Sequence, residues 1–197
     1  MRIDHKYCNI IEKDLSDDEK NNIEELKDAC KMQFPQFEGK IRQSTINDWI
    51  KKRLKGKNWD TEKTCPHGDR ERFYFYKESA QRNIFVEVEY GNRCAIAHDL
   101  LKFVKTYQCK NEKKSLFILI LPRKNMKVGK SNATWEYACN LMDKCKCISV
   151  PLIILGIATD NANDIIDVQE LNYDKIEKGK YMELVGDCQP AIYFEER

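Results

Sequence analysis

Residues 85–92 read FVEVEYGN. Successive side chains of a strand point to opposite faces. Ile84, Val86, Val88 and Tyr90 then share one face, and Phe85, Glu87 and Glu89 share the other. The first set can cover a core. The second places two carboxylates at neighbouring positions, where they repel each other and where burial raises the cost further. Three arrangements resolve the conflict. The face is wet, as on a one-sided sheet; or a Lys or Arg from a neighbouring element covers it; or the carboxylates hold a divalent cation. Mg2+ suits the last, because it is usually bound by one or two carboxylates together with substrate phosphate oxygens.

Upstream, RFYFYK and IFVEVEY read as two strands rich in aromatic and β-branched residues. The residues between them, 78–83, suit a hairpin turn, and TEKTCPHGDR before them reads as loop. Farther upstream, Ser16-Asp-Asp-Glu19 has the form of a capping box, with Ile23, Leu26 and Cys30 on one helical face. A second helix carries Ile46, Trp49, Ile50 and Leu54 on its apolar stripe. Its other face holds Lys51, Lys52, Arg53 and Lys55, a solvated face and secondarily a phosphate contact.

Downstream, Gly91-Asn92 opens toward the helix HDLLKFVKTY, which places Leu100, Leu101, Val104 and Tyr107 on one face. His98 sits early in that helix, a position for capping or for the surface rather than for a catalytic base. SLFILIL and VPLIILGI are continuous apolar runs, as in strands buried on both faces. Between them SNATWEYACNLMDKC reads as a capped helix. The tail is polar, with one plausible strand, AIYF. The order predicts an α/β fold: a mixed central sheet flanked by helices.

The chain of 197 residues is long enough for one domain with a real core. We expect a single domain over 1–197, with an N-terminal helical part at 1–60, a catalytic core at 68–160 and a C-terminal extension at 161–197. A net charge of +2 leaves only local patches to announce a nucleic-acid partner. From Lys113 to Trp135 there are six Lys or Arg residues and no acidic one. Arg123, Lys124, Lys127 and Lys130 fall in one loop. A carboxylate cluster near such a loop matches a phosphodiester substrate.

The nine cysteines form no even, secreted framework. Cys65-Pro-His67 has the look of half a zinc site, but no second pair stands at finger spacing. The cysteines read as reduced and the chain as cytoplasmic, and no apolar run reaches membrane-span length.

NIFVEVEYGNRCAIAHDLLKF resembles the catalytic segment of type II restriction endonucleases of the BglII/BstYI/BamHI kind, within the PD-(D/E)xK nuclease superfamily. STINDWIKKRLKGKNW, SLFILILP, SNATWEYACNLM and VPLIILGI resemble further family elements in the same order, so that residues 39–157 are covered. The resemblance implies a restriction-endonuclease-like core and an Mg2+-dependent homodimer that cuts both strands of double-stranded DNA at a short palindrome, with a lean toward GATC-centred sites. It implies that Glu87 is the central metal-bridging carboxylate and that the carbonyl of Val88 is a further ligand. Glu89 stands where most of the superfamily has lysine, and would orient or deprotonate the attacking water. Asn92 and Arg93 would contact DNA, as would Arg123 and Lys130. Ser131, Asn132 and Thr134 match the loop that reads base edges, with Trp135 either in the core or bracing that loop. The upstream metal ligand falls on Glu78 at the spacing of closer relatives. With a longer turn Tyr74 takes that place, and Glu71 or Asp69 would serve instead. A nuclease fold that binds DNA without cutting, and an interaction module whose acidic strand pairs with a partner's lysines, are the competing classes.

Overall fold

The computed structural model describes residues 2–31, 43–68, 71–109, 114–124, 126–127, 133–158 and 166–167. Its centre is three parallel strands: β4 (Asn83–Val88), β5 (Ser115–Pro122) and β7 (Leu152–Ala158). All three are buried along their whole length. That is why the last two read as unbroken apolar runs. Helix α3 (Arg93–Tyr107) connects β4 to β5, and helix α4 (Trp135–Lys144) connects β5 to β7. A crossover of this kind is what parallel strands require.

Three antiparallel strands complete the sheet. β3 (Arg72–Lys77) pairs with β4, and β2 (Asp60–Thr64) with β3. On the far side β1 (Arg2–Cys8) pairs with β7, giving the order β1-β7-β5-β4-β3-β2. A separate pair joins β6 (Met126–Lys127) to β8 (Ile166–Asp167). Two of these strands carry no strong sequence signal. β1 lies in the segment expected to be helical, and β2 in the segment read as loop. Both are edges, and edge strands are commonly short and charged, which limits edge-to-edge pairing. RIDHKYC and DTEKT fit that rule. The candidate strand AIYF lies outside the described residues.

The alternation of β4 is realised as two cores. Ile84, Val86, Val88 and Tyr90 pack with Ile118, Ile120 and Ile153 under helices α1 (Asp17–Cys30) and α2 (Gln43–Leu54). Phe85 packs on the opposite face with Phe73, Phe103 and Phe117 under α3. Ring centroids there stand 4.8 Å apart for Phe73–Phe85 and for Phe103–Phe117. Each such ring contributes about 1.5–3 kcal/mol by leaving water. The cluster fixes where α3 sits over β4.

The inward face of α3 differs from the predicted one. Leu101 is 62% exposed and Tyr107 43%. Ile96, Asp99, Leu100, Lys102, Phe103 and Thr106 are the buried residues. A count of hydrophobic residues missed this face because two charged groups belong to it.

A buried clamp anchors α1 to the turn before β4. Ser16 caps the helix and receives Glu19 in return, as the capping-box pattern predicts. Arg82 then grips Glu19 through two hydrogen bonds, 2.6 and 2.8 Å long, and donates to the Asp14 carbonyl at 2.8 Å. Burial raises the Glu19 carboxyl, but Arg82 and Ser16 outweigh it and hold the group below the usual range.

At the other end of the sheet Gly156 admits the ring of Trp135. A Cβ there would meet two ring carbons at 2.7 Å and the Arg123 Cδ at 2.9 Å. Gly156→Ala is expected to destabilise the protein by about 1–3 kcal/mol. Urea unfolding measures this, and an unchanged midpoint would show that the ring moves aside at no cost.

Candidate active site

Glu87 lies near the C-terminal end of β4, paired in register with Leu119, and is 2% exposed. Of the three arrangements open to its carboxylate, the structure shows the second. Lys102 of α3 brings its Nζ to 2.5 Å from Glu87 Oε1. The same Nζ stands 3.7 Å from Asp99 and donates to the Arg72 carbonyl at 3.1 Å. It also lies 5.0 Å from the centre of the Phe73 ring. The i, i+3 spacing of Asp99 and Lys102 puts both on the helix face that looks at β4.

The charges do not balance. Glu87 and Asp99 share the Lys102 ammonium, with the Asp99 carboxylate also 3.7 Å from His98 Nδ1 and the Glu89 carboxylate nearby. Burial pushes the Glu87 carboxyl up to about 8; Lys102 opposes this, and Asp99 and Glu89 add to it. Burial likewise pushes Asp99 up to about 6, against Lys102 and with Glu89. Burial pulls Lys102 down, but Glu87 and Asp99 outweigh it and hold the ammonium above its ordinary range. These directions mark a site where burial and mutual repulsion work against the charged carboxylates, while their field favours the Lys102 ammonium. Among the described residues, Glu87 Oε1 has no hydrogen-bond partner beyond its close contact with Lys102. A divalent cation would bring this cluster twice the charge of an ammonium, and the carboxylate oxygens of Glu87 and Asp99 are donors of the kind a hard one takes.

Glu89 turns back on the chain. Its Oε1 accepts from Gly91 N at 2.5 Å and from Asn92 N at 3.3 Å. Asn92 caps α3 by accepting from Cys94 N at 2.8 Å, and Arg93 lies over the Tyr137 ring at 4.9 Å. His98 is exposed, and its Nε2 is 2.8 Å from Glu71 Oε1. Tyr74 faces the acidic cluster. Burial raises its phenol, and Glu87 and Glu89 raise it further. Tyr74 also lines a cleft of 440 Å³ with Asn47, Asp48, Lys51, Thr61 and Glu62. Lys51, marked in the sequence as a phosphate contact, therefore sits one side chain away from the site.

The structure does not bring Glu78 to this cluster. Phe75 pairs with Val86 and Lys77 with Ile84, so Tyr74 comes opposite Glu87. Glu78 follows β3 in an exposed turn, at the opposite end of β4 from Glu87. One carboxylate joins Glu87 in its place: Asp99 meets it through Lys102. Glu71, the alternative to Glu78, reaches α3 through His98 instead. Asp69 lies outside the described residues. Val88 ends β4 with its side chain in the opposite core.

Two residues expected to touch DNA are held by other work. Arg123 pairs with Asp4 and with Glu136, and its guanidinium lies 4.5 Å above the Trp135 ring. Thr134 is buried and caps α4, accepting from Tyr137 N at 3.3 Å. Trp135 itself donates to the Ile154 carbonyl at 3.2 Å. These contacts brace the start of α4. Lys130, Ser131 and Asn132 lie outside the described residues.

Asp99 and Lys102 escaped the sequence reading, whereas Glu71 stood in it as an alternative to Glu78. The available signal was the pair of charged residues three apart in α3, flanked by Leu100 and Phe103.

A sequence model described as restriction endonuclease BglII/BglIII matches residues 5–157. No curated protein matches the chain. Among solved structures, the fold is similar to that of BglII complexed with a DNA 16-mer. The TM-score is 0.65 and the identity 19%, over 81% of this chain and 78% of that one. It is also similar to free BglII, with TM-score 0.57 and identity 20%, over 81% of each chain.

The proton balance of the site sets a pH dependence of stability. A carboxyl raised in the folded state leaves that state holding the extra proton between its unfolded value, about 4.3, and about 8. Its contribution is complete below the lower value and is lost as pH rises through the upper one. Stability should therefore fall between pH 5 and 8, by at most about 1.4 kcal/mol per pH unit from this group. Glu87→Gln should flatten the slope in urea unfolding. An equal slope in both proteins would place the proton elsewhere.

Proposed function

The chain belongs to the BglII/BglIII restriction endonuclease family, a family of site-specific deoxyribonucleases, and from that premise we propose that Glu87, Asp99, Lys102 and Glu89 cleave double-stranded DNA with Mg2+ as cofactor. The observation that carries this reading is the buried, under-neutralised carboxylate pair between β4 and α3. Oxygen donors of this kind near the end of a parallel strand support the reading of a divalent cation there.

Bound there, Mg2+ would polarise the scissile phosphate and the attacking water. Glu87 and Asp99 would hold it, with the Val88 carbonyl as a further ligand. Glu89 would orient the water and receive its proton. The water oxygen bonds to phosphorus as the bond from phosphorus to the 3′ oxygen breaks, leaving a 5′-phosphate and a 3′-hydroxyl. Lys102 offers from α3 the ammonium that most of the superfamily carries at the Glu89 position. It balances the carboxylates before the cation arrives and the phosphate afterwards.

Lys51, Arg93 and Lys130 are proposed to take the backbone phosphates, and Asn92, Ser131 and Asn132 the neighbouring base edges. The likeness to the BglII–DNA complex supports DNA as the partner. A homodimer on a short palindrome, GATC-centred by family resemblance, completes the reading.

Plasmid DNA incubated with the protein and Mg2+ should yield discrete fragments with 5′-phosphate ends. Without the cation it should remain uncut. Glu87→Ala should lower cleavage by at least about 10³-fold while leaving duplex binding within a few-fold. Lys102→Ala should lower the rate and shift its pH optimum. Cutting by Glu87→Ala at the wild-type rate would remove the assignment.

A further inference from the structure

The connection between β2 and β3 folds three unlike donors together. The Cys65 Sγ, an imidazole nitrogen of His67 and a carboxylate oxygen of Glu71 all lie within 4.8 Å of one another. His67 Nε2 is 3.5 Å from Glu71 Oε2. Two backbone bonds set the geometry: Cys65 N donates to the Glu71 carbonyl at 3.0 Å, and Gly68 N to the Cys65 carbonyl at 3.2 Å. Gly68 has φ +84, a conformation that favours glycine, and so lets the loop reverse between His67 and Glu71. Cys65 is buried, while His67 and Glu71 are partly accessible, which leaves a path for an ion.

A second observation points to a ligand. Glu71 Oε2 is buried and accepts no hydrogen bond from the described residues, although its sister oxygen is engaged by His98 at 2.8 Å. A carboxylate held by a neighbour through one oxygen, with the other turned toward a thiol and an imidazole, has the form of a metal ligand with its supporting partner. The chemistry is selective. A thiolate, an imidazole and a carboxylate suit a borderline-soft tetrahedral ion, and a thiolate is a poor partner for Mg2+.

We propose that Cys65, His67 and Glu71 bind one Zn2+, with water in the fourth position, separate from the all-oxygen cluster at Glu87. The site pins the β2–β3 hairpin and, through Glu71 and His98, fixes the hairpin to α3 beside Asp99. Spacing rules miss it because they look for a second Cys or His pair, and here the third ligand is a glutamate across a tight turn.

The test uses the full chain, loaded with zinc and desalted against a weak chelator. One equivalent of zinc per chain is expected by elemental analysis. Cobalt substitution should give a thiolate-to-cobalt charge-transfer band together with tetrahedral visible bands. Cys65→Ser should abolish the charge-transfer band, and His67→Ala should weaken zinc binding by at least about tenfold. The double variant Cys145→Ser/Cys147→Ser should retain one equivalent. The proposal fails if the wild type holds no zinc or if Cys65→Ser/His67→Ala keeps it. It fails equally if the Cys145→Ser/Cys147→Ser protein is the one that loses it. Should Cys65→Ser not fold, X-ray absorption of the zinc-loaded wild type decides: one sulfur neighbour supports the site, and none or several overturns it.

Discussion

The Glu87–Lys102 ion pair is the constraint around which this structure is organised. The Glu87 carboxylate, buried near the end of β4, has almost no water to solvate it, and removing two charges from water costs several kcal/mol per ion. Lys102 is shared between Glu87 and Asp99. The helix must therefore present Lys102 at one depth and one angle, and the stacked rings of Phe73, Phe85, Phe103 and Phe117 set that angle. The core beneath α3 holds these charged groups in place as much as it excludes water. A fold that needed only stability would have filled these positions with apolar side chains, which is often neutral or favourable.

Much of this arrangement was legible in the residues, for physical reasons. β5 and β7 are buried on both faces, so their apolar runs admit few other readings. The alternation in β4 separated its two faces correctly. The edge strands were not legible. β1 and β2 are stabilised by pairing with a neighbour rather than by burial, and pairing leaves no hydrophobic signature. The face of α3 was misjudged for the converse reason: Asp99 and Lys102 are buried through each other and through Glu87. The position of Glu78 depended on hairpin register, which a turn of uncertain length does not fix. The clamp of Arg82 on Glu19 holds that turn against α1, away from the acidic cluster.

Arg123 and Thr134 illustrate a general ambiguity. A basic residue after a central strand, and a hydroxyl before a helix, have the same sequence appearance whether they serve a ligand or the scaffold. Here the guanidinium is sandwiched between Trp135 and two carboxylates, and the hydroxyl caps α4. Their work is to hold the loop that leads into α4. Substituting them would disturb that loop from below, without removing a contact from its surface.

The pairing of β1 with β7 joins Arg2 to Ala158, positions 156 apart in sequence. Such a long-range contact is made late, because the entropy of closing the intervening chain must be met before the contact rewards it. During synthesis at about 5–20 residues per second, the first strand waits roughly 8–30 s for its partner to emerge. The sheet is finished only when the last core strand has left the ribosome. A nascent chain thus carries Glu87 and Lys102 long before it has the completed scaffold, and the buried charged cluster matures with the whole domain rather than with the segment that encodes it.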